Sequence, residues 1–173
     1  MVTKVIRFGL SQKQVAGAIK ELQAYKRDLI QKTDLLRERI AAEIANNAQS
    51  GFAGAIVDDL LRGGKRIAEV DVTVSDRDNI SIVVANGEDA IWAEFGSGVF
   101  HNGSAGSSPH PKGQELGFTI GGYGKGMGKR NVWGFYENGE LKLTHGAPAV
   151  MPMFNSVKMV CEDIVSIARE VWR

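Results

Sequence analysis

Three acidic residues beside the phrase IWAEFGSG are the first candidates for chemistry. Glu88, Asp89 and Glu94 form a tight carboxylate group there, and two carboxylates can act as general acid and general base when their environments differ. Asp89 is equally well placed to cap a short helical turn from Ala90 to Phe95, with Glu94 on the solvent side of that turn. Because no serine lies on a recognisable nucleophile turn, we favour the structural role and predict no catalytic residue.

The glycine-rich run GGYGKGMGKR suggests a phosphate-binding loop, since glycine backbone can surround phosphate groups and a lysine can reach them. The spacing does not fit this motif. Tyr123 occupies the position of its first glycine, and Arg130 stands where a metal-binding Ser or Thr is required. The run also precedes a predicted strand instead of opening a helix. We therefore expect a flexible basic loop and no bound cofactor.

Histidine and cysteine residues are too few and too scattered to predict a metal site. Zinc needs three or four ligands in fixed geometry, and only two histidines, His101 and His110, are close in sequence. The single cysteine, Cys161, lies between Val157 and Ile164 on the apolar stripe of a predicted helix. That position predicts a buried, inert thiol and not a nucleophile.

Composition predicts one soluble domain. The chain has 173 residues, 43% of them hydrophobic, which is enough for a single core. Lys and Arg number 21 against 20 Asp and Glu, so no global positive field favours nucleic acid. One cysteine excludes an internal disulfide framework and fits a reducing cytosol. The N-terminus lacks the pattern of a signal peptide, and no stretch approaches a membrane span.

The spacing of apolar residues predicts the helical elements. Residues 2–8 are rich in β-branched side chains and predict a short first strand. Ser11 can then cap a helix whose stripe reaches Ile44, either as one very long helix or as two in tandem with a break near Thr33. The stripe continues through Phe52, Ile56 and Leu60 and predicts a further short helix.

Two hairpins and a final helix complete the prediction. In AEVDVTVSDRDNISIVVANG, apolar residues alternate on both sides of a polar turn and predict a hairpin with one buried face, built from Val70, Val72, Val74, Ile80, Ile82 and Val84. Asn138-Gly139 predicts a type I′ turn in the second hairpin, and Pro152 can open a C-terminal helix. We therefore predict an α+β fold, in which an antiparallel sheet of about four to five strands is packed by the N-terminal and C-terminal helices. Residues 1–173 form one domain, with extended loops near 100–117 and 121–131.

Two phrases, IWAEFGSG and HGAPAVMPMFNSV, are separated by a loop rich in glycine and histidine and by an aromatic hairpin. Together they resemble the tail-completion and minor tail proteins of long-tailed bacteriophages, the head-tail joining family. That family has an aromatic-Val-Glu-Phe-Gly-Thr-Gly phrase before a variable loop and a Gly-x-Pro-Ala-x-Pro-Phe-Met phrase before a C-terminal helix. The matching positions are Trp92, Glu94, Phe95, Gly96, Gly98, Gly146, Pro148, Ala149 and Pro152. Ala93, Ser97 and the reversed order of Met153 and Phe154 depart from the pattern.

This resemblance implies a structural virion protein of the phage neck or tail top, assembled in the host cytoplasm. The subunit would form a homo-oligomeric ring, hexameric by expectation, beside other neck, tail terminator or tail tube proteins. DNA would pass through the ring only as cargo, and no membrane is involved. Phe95 would anchor a reaching loop, while Gly96 and Gly98 let the chain turn away.

The reaching loops would contact the neighbouring subunit. The expected interface residues are Phe100, His101, His110, Tyr123, Lys125, Lys129 and Arg130. Two alternatives stay open at this point. One is a small phage-encoded hydrolase that uses Glu94 with a loop histidine, and the other is a nucleic-acid-binding module that uses Lys125, Lys129 and Arg130.

Overall fold

A computed structural model describes residues 5–59, 64–96, 108–118, 133–144 and 147–173. Within these ranges the chain forms three helices and six strands. In chain order they are α1 (Gln12–Ala53), β1 (Ile56–Asp59), β2 (Gly64–Ile67), β3 (Asp71–Arg77), β4 (Ile80–Asn86), α2 (Ala90–Phe95), β5 (Trp133–Glu137), β6 (Glu140–Thr144) and α3 (Pro152–Val171).

Helix α1 is one continuous helix of 42 residues, about 63 Å long at 1.5 Å per residue. Ser11 caps it as predicted, because its side chain accepts a hydrogen bond from the Gln14 N–H at 3.4 Å. The chain does not break near Thr33, whose hydroxyl instead donates to the Leu29 carbonyl at 2.8 Å. The tandem alternative is therefore wrong.

Two local predictions before and after α1 fail. Residues 5–9 form no strand, and no described strand pairs with them; residues 1–4 lie outside the described part. The predicted short helix through Phe52 and Ile56 is also wrong, since α1 runs through Gly51 to Ala53 and Ile56 begins β1. In this strand the alternating residue Val57 is buried and Ile56 is exposed. The apparent helical spacing therefore joined residues of two different elements.

The strands pair antiparallel, which confirms the α+β organisation in coarse form. They form three two-stranded sheets, β1–β2, β3–β4 and β5–β6, so each sheet has fewer strands than the four to five predicted. Both turn residues of β5–β6, Asn138 and Gly139, have positive φ angles of 51° and 84°. This agrees with the predicted type I′ turn.

The register of β3–β4 corrects the predicted buried face. Val74 pairs with Val83, and Ser75 pairs with Ile82. Directly paired residues lie on the same face of a sheet. Ile82 therefore shares a face with Ser75, and Val74 lies on the other face of the hairpin. The face with Val72 and Ala85 packs on the core. The face with Ile80, Ile82 and Val84 points outward.

The core is small and rich in alanine. Its buried members are Ala48, Phe52, Ala55, Val57, Ala68, Ala93 and Ala147. Small side chains let α1, the β1–β2 sheet and α2 approach closely. Gln49 links α1 to β3 by accepting from the Val72 N–H at 2.8 Å and donating to the Val70 carbonyl at 3.0 Å.

Helix α3 runs back along α1, with Pro152 against Gly51 and an ion pair of 3.2 Å between Arg39 and Glu170 near its other end. Its buried residues are Pro152, Ser156, Val160, Ile167 and Val171. The part of the predicted stripe that includes Val157, Cys161 and Ile164 lies on a different part of the helix surface. The close approach of α3 to α1 instead buries the row that contains Pro152 and Ser156. Cys161 is consequently exposed, and the prediction of a buried thiol is wrong.

Among the helices of the described ranges, none combines the length and the apolar composition that a membrane span requires.

The Gly51 contact with Pro152 generates a matched pair of mutations. A Cβ at Gly51 would lie 2.9 Å from the Pro152 Cβ, whereas one at Gly17 would meet nothing within 4 Å. We expect Gly17→Ala to raise the free energy of unfolding by about 0.8 kcal/mol through helix propensity. Gly51→Ala should lower it by about 1 kcal/mol, because overpacking outweighs the same propensity gain. Urea unfolding measures both, and equal stabilisation would refute the close contact.

Candidate functional site

Asp89 occupies the N-cap position of α2, as predicted, but its side chain does not cap that helix. The carboxylate instead forms a bidentate ion pair with Arg66, with Nη1 to Oδ2 at 2.5 Å and Nη2 to Oδ1 at 3.0 Å. It also accepts the Glu69 N–H at 2.9 Å. Asp89 is only 7% exposed, so these bonds replace its hydration. They tie the start of α2 to β2.

Glu94 is buried, contrary to its predicted place on the solvent side. Its Oε2 accepts the N–H of Met153 at 2.8 Å, and its Oε1 accepts the N–H of Phe154 at 2.9 Å. Pro152 at the helix start has no N–H, so these two donors are the first that α3 leaves unsatisfied. A carboxylate at a helix N-terminus also interacts favourably with the helix dipole. Glu94 of α2 therefore caps α3 from a distant part of the chain.

His110 completes this arrangement. Its Nε2 lies 3.2 Å from Glu94 Oε1, and its Nδ1 accepts the Lys112 N–H at 3.1 Å. Because Nδ1 is an acceptor, Nε2 carries the ring hydrogen and donates it to Glu94. The polar atoms of the imidazole are thus all engaged.

Aromatic rings enclose the imidazole. The rings of Phe95 and Phe118 stack at 4.2 Å with an interplanar angle of 6°. The His110 ring lies 4.4 Å from Phe95 and meets Phe154 edge-on at 5.3 Å. We call Glu94, Phe95, His110, Phe118 and Phe154 the Glu94–His110 cluster. It fastens residues 108–118 onto α2 and the start of α3.

Backbone hydrogen bonds close the segment of residues 108–118. The Ser108 N–H donates to the Phe118 carbonyl at 2.9 Å, and the Phe118 N–H donates to the Gly113 carbonyl at 2.8 Å. The Ser108 hydroxyl donates to the Phe95 carbonyl and accepts the His110 N–H at 3.2 Å. This segment is an ordered turn and not a reaching arm.

The two phrases of the phage-like pattern meet at one joint. The Ala93 carbonyl accepts the N–H groups of Val150 at 2.8 Å and Met151 at 3.2 Å. Gly96 has a φ angle of 75°, and a Cβ there would lie 2.9 Å from the Ala149 nitrogen. Together with the Glu94 cap, these contacts define what we call the phrase joint, between residues 93–96 and 149–154.

The proposed interface residues have different outcomes. The structure places His110 inside the fold, at 9% exposure, because Glu94 and the rings of Phe95 and Phe154 hold it there. The others, Phe100, His101, Tyr123, Lys125, Lys129 and Arg130, lie outside the described residues, as do Gly98 and Gly146. The loop predicted at 121–131 and the first part of the loop at 100–117 lie there too. Trp92 and Pro148 are on the surface, and Pro152 is buried.

Sequence reasoning missed Arg66, Ser108 and Phe118 as partners in this region. One signal was present for the turn. Pro109 and Pro111 flank His110, and two prolines restrict the backbone enough to indicate an ordered segment.

The Glu94–His110 cluster brings together the two residues that the hydrolase alternative requires. Both carboxylate oxygens and both ring nitrogens are, however, used in structural hydrogen bonds, and the Ser108 hydroxyl bonds to backbone atoms. The cluster therefore offers no free base or nucleophile. In the part of the chain that the structure describes, no group of three or more His, Cys, Asp or Glu residues is placed to hold a metal ion.

Comparison of the chain with protein-family models, with curated proteins and with solved structures found no match.

The Glu94 cap predicts a large loss of stability on truncation. Glu94→Ala removes the acceptor of two backbone N–H groups and of the His110 ring N–H. We expect it to lower the free energy of unfolding by about 3 kcal/mol. The control Glu162→Ala, at an exposed position of α3, should change it by less than about 0.5 kcal/mol. Denaturant unfolding compares the two, and equal effects would contradict the cap.

The ordered turn predicts slow amide exchange at Gly113 and Phe118, because both N–H groups donate to backbone carbonyls. His110→Ala should accelerate their exchange by removing the ring that fastens the segment. Lys112→Ala should not, because it keeps the Lys112 N–H. Unprotected amides at both positions in the wild-type chain would show that residues 108–118 are not held against the domain.

Proposed function

We propose that this chain is a structural subunit of a phage neck or tail top, which assembles into a homo-oligomeric ring and helps to join the tail to the head. The phrase joint is the observation that carries this proposal. The phage-like pattern rests on two phrases far apart in the sequence, and in the fold they form one hydrogen-bonded unit. Glu94, Gly96 and Pro152 match that pattern, and the local geometry requires these residue types. These three residues are explained by their roles in folding, so the pattern gives no reason to assign them a catalytic role.

The surface supports an assembling subunit. The core is small, yet many large apolar side chains are exposed on α1, on the β3–β4 hairpin and on α3. Among them are Ile19, Leu22, Leu29, Ile30, Ile80, Ile82, Val157, Met159 and Val165. A monomeric protein rarely leaves extended apolar surface in water. Burial against further subunits would account for these residues.

The charge balance fits a ring that lets DNA pass without holding it. A protein that binds DNA through its phosphates presents clustered Lys and Arg, and each phosphate contact adds affinity. The net charge of this chain is only +1. We infer that DNA is cargo in the channel and not a tightly bound ligand.

A hydrolase is the second candidate, because Glu94 and His110 lie 3.2 Å apart. Their hydrogen bonds would have to open before either could act. The nucleic-acid-binding alternative depends on Lys125, Lys129 and Arg130, which lie outside the described residues.

Ring formation tests the proposal directly. We expect the purified chain to form one discrete oligomer with a central channel as its concentration rises, visible by native mass measurement and by electron microscopy of single particles. In a phage that encodes this chain, a stop codon in the gene should leave filled heads and finished tails that do not join.

A chain that stays monomeric, in a phage whose stop mutant still yields joined infectious particles, would refute the proposal. If particles of the stop mutant were joined normally but lacked a hydrolytic activity present in the wild type, the hydrolase alternative would be favoured instead.

A further inference from the structure

The contacts of α1 with other helices and strands described so far lie in its second half, although Ala18 in the first half is also buried. Arg37 bonds to Ser81 of the hairpin at 3.1 Å, and Arg39 pairs with Glu170 of α3. Gln49 and Gly51 make the contacts described above. The first half of α1 carries a stripe of exposed apolar side chains: Ile19 at 50%, Leu22 at 54%, Leu29 at 41% and Ile30 at 50%.

Basic residues line the same half of α1. Residues 12–32, which we call the basic half of α1, contain five basic and two acidic side chains. Lys13, Lys20 and Arg27 recur every seven residues and so lie in one row beside the apolar stripe. All three are exposed, and none forms an ion pair with a residue of the described ranges. The ion pair seen in this half joins Lys32 to Asp28 at 3.3 Å.

The outer face of the β3–β4 hairpin has the opposite character. Its apolar residues are Ile80, Ile82 and Val84, exposed by 62%, 44% and 40%. The register places Asp71 on this face beside Asn86, its partner. Glu69 and Glu88 lie just beyond these strand ends, and both are exposed. Residues 69–88 contain five acidic side chains and one basic side chain. The result is an apolar surface with an acidic end, while the single basic residue, Arg77, pairs with Ile80 at the other end of the same face.

We propose that the basic half of α1 of one subunit packs on the outer face of the β3–β4 hairpin of a second copy of this chain. This inference rests on the proposed ring and names the surfaces that build it. Apolar side chains would meet apolar side chains, and the row of Lys13, Lys20 and Arg27 would meet the acidic end of the hairpin.

The dimensions of the two surfaces agree. From Ile19 to Ile30 the helix rises about 16 Å at 1.5 Å per residue. From Ile80 to Val84 the strand spans about 13 Å at 3.3 Å per residue. The apolar stripe of the helix therefore covers the apolar stretch of the strand with about 3 Å to spare.

The pairing also has the symmetry that a ring requires. Each subunit contributes two different surfaces, so the contact is heterologous and adds subunits head to tail until the rotation closes. A two-fold pairing of α1 with α1 could use Leu22 and Leu29, which also recur every seven residues. That contact would stop at a dimer and would leave the outer face of the hairpin uncovered.

Charge reversal on each surface tests the pairing. The helix variant carries Lys13→Glu, Lys20→Glu and Arg27→Glu; the hairpin variant carries Glu69→Lys, Asp71→Lys and Glu88→Lys. Each variant alone should assemble only at a concentration about tenfold or more above that of the wild type, because like charges then face each other. A mixture of the two should restore assembly, since every contact in an alternating ring again joins opposite charges.

A control variant keeps the size of the charge change and moves it elsewhere. Lys65→Glu, Lys112→Glu and Lys158→Glu alter three exposed residues outside both surfaces and should leave assembly unchanged. Circular dichroism and thermal unfolding of each variant establish that it folds. Mass photometry at several salt concentrations measures assembly, which should weaken as salt screens the charges.

The outcomes separate this inference from the proposed function. If the folded hairpin variant formed a ring at the same concentration as the wild type, the proposed pairing would be overturned, but the proposed ring would not. A mixture that fails to assemble would overturn it as well. A wild-type chain that stays monomeric at every concentration would overturn both.

Discussion

The carboxylate of Glu94 is the point on which the fold depends. It satisfies the first free N–H groups of α3 and lies beside the ring N–H of His110, and it belongs to α2, which follows β4 in the chain. Burial of a carboxyl group is tolerated only when hydrogen bonds replace its hydration. Helix α2, the start of α3 and residues 108–118 must therefore be in place together.

Small residues allow the elements of the rest of the core to pack closely. Gly51 lets Pro152 touch α1, Gly96 lets the chain pass beside Ala149, and alanines fill the space between α1 and β1–β2. Little apolar area is buried by side chains of this size. In the ring that we propose, contacts with neighbouring subunits would add stability by covering the exposed apolar surfaces.

Local sequence pattern predicted the elements better than it predicted their faces. The Ser11 cap, the long helix, the Asn138-Gly139 turn and the final helix follow from propensity and spacing within a few residues. The face of β4 depends on which residues pair across the hairpin, and the face of α3 depends on the close approach at Gly51. The role of Glu94 could not be predicted, because its partners lie 59 and 60 residues away and appear only when α2 and α3 meet. The phage-like pattern includes Glu94, Gly96 and Pro152, but it did not indicate the contacts that these residues make.

Single-particle reconstruction of the assembled wild-type chain tests the central claim most directly. Our account predicts a closed ring in which the first half of each α1 lies across the β3–β4 hairpin of the next subunit, with Glu94 still bound at the start of α3. A ring or dimer in which α1 pairs with α1 and the outer face of the hairpin stays in solvent would contradict it.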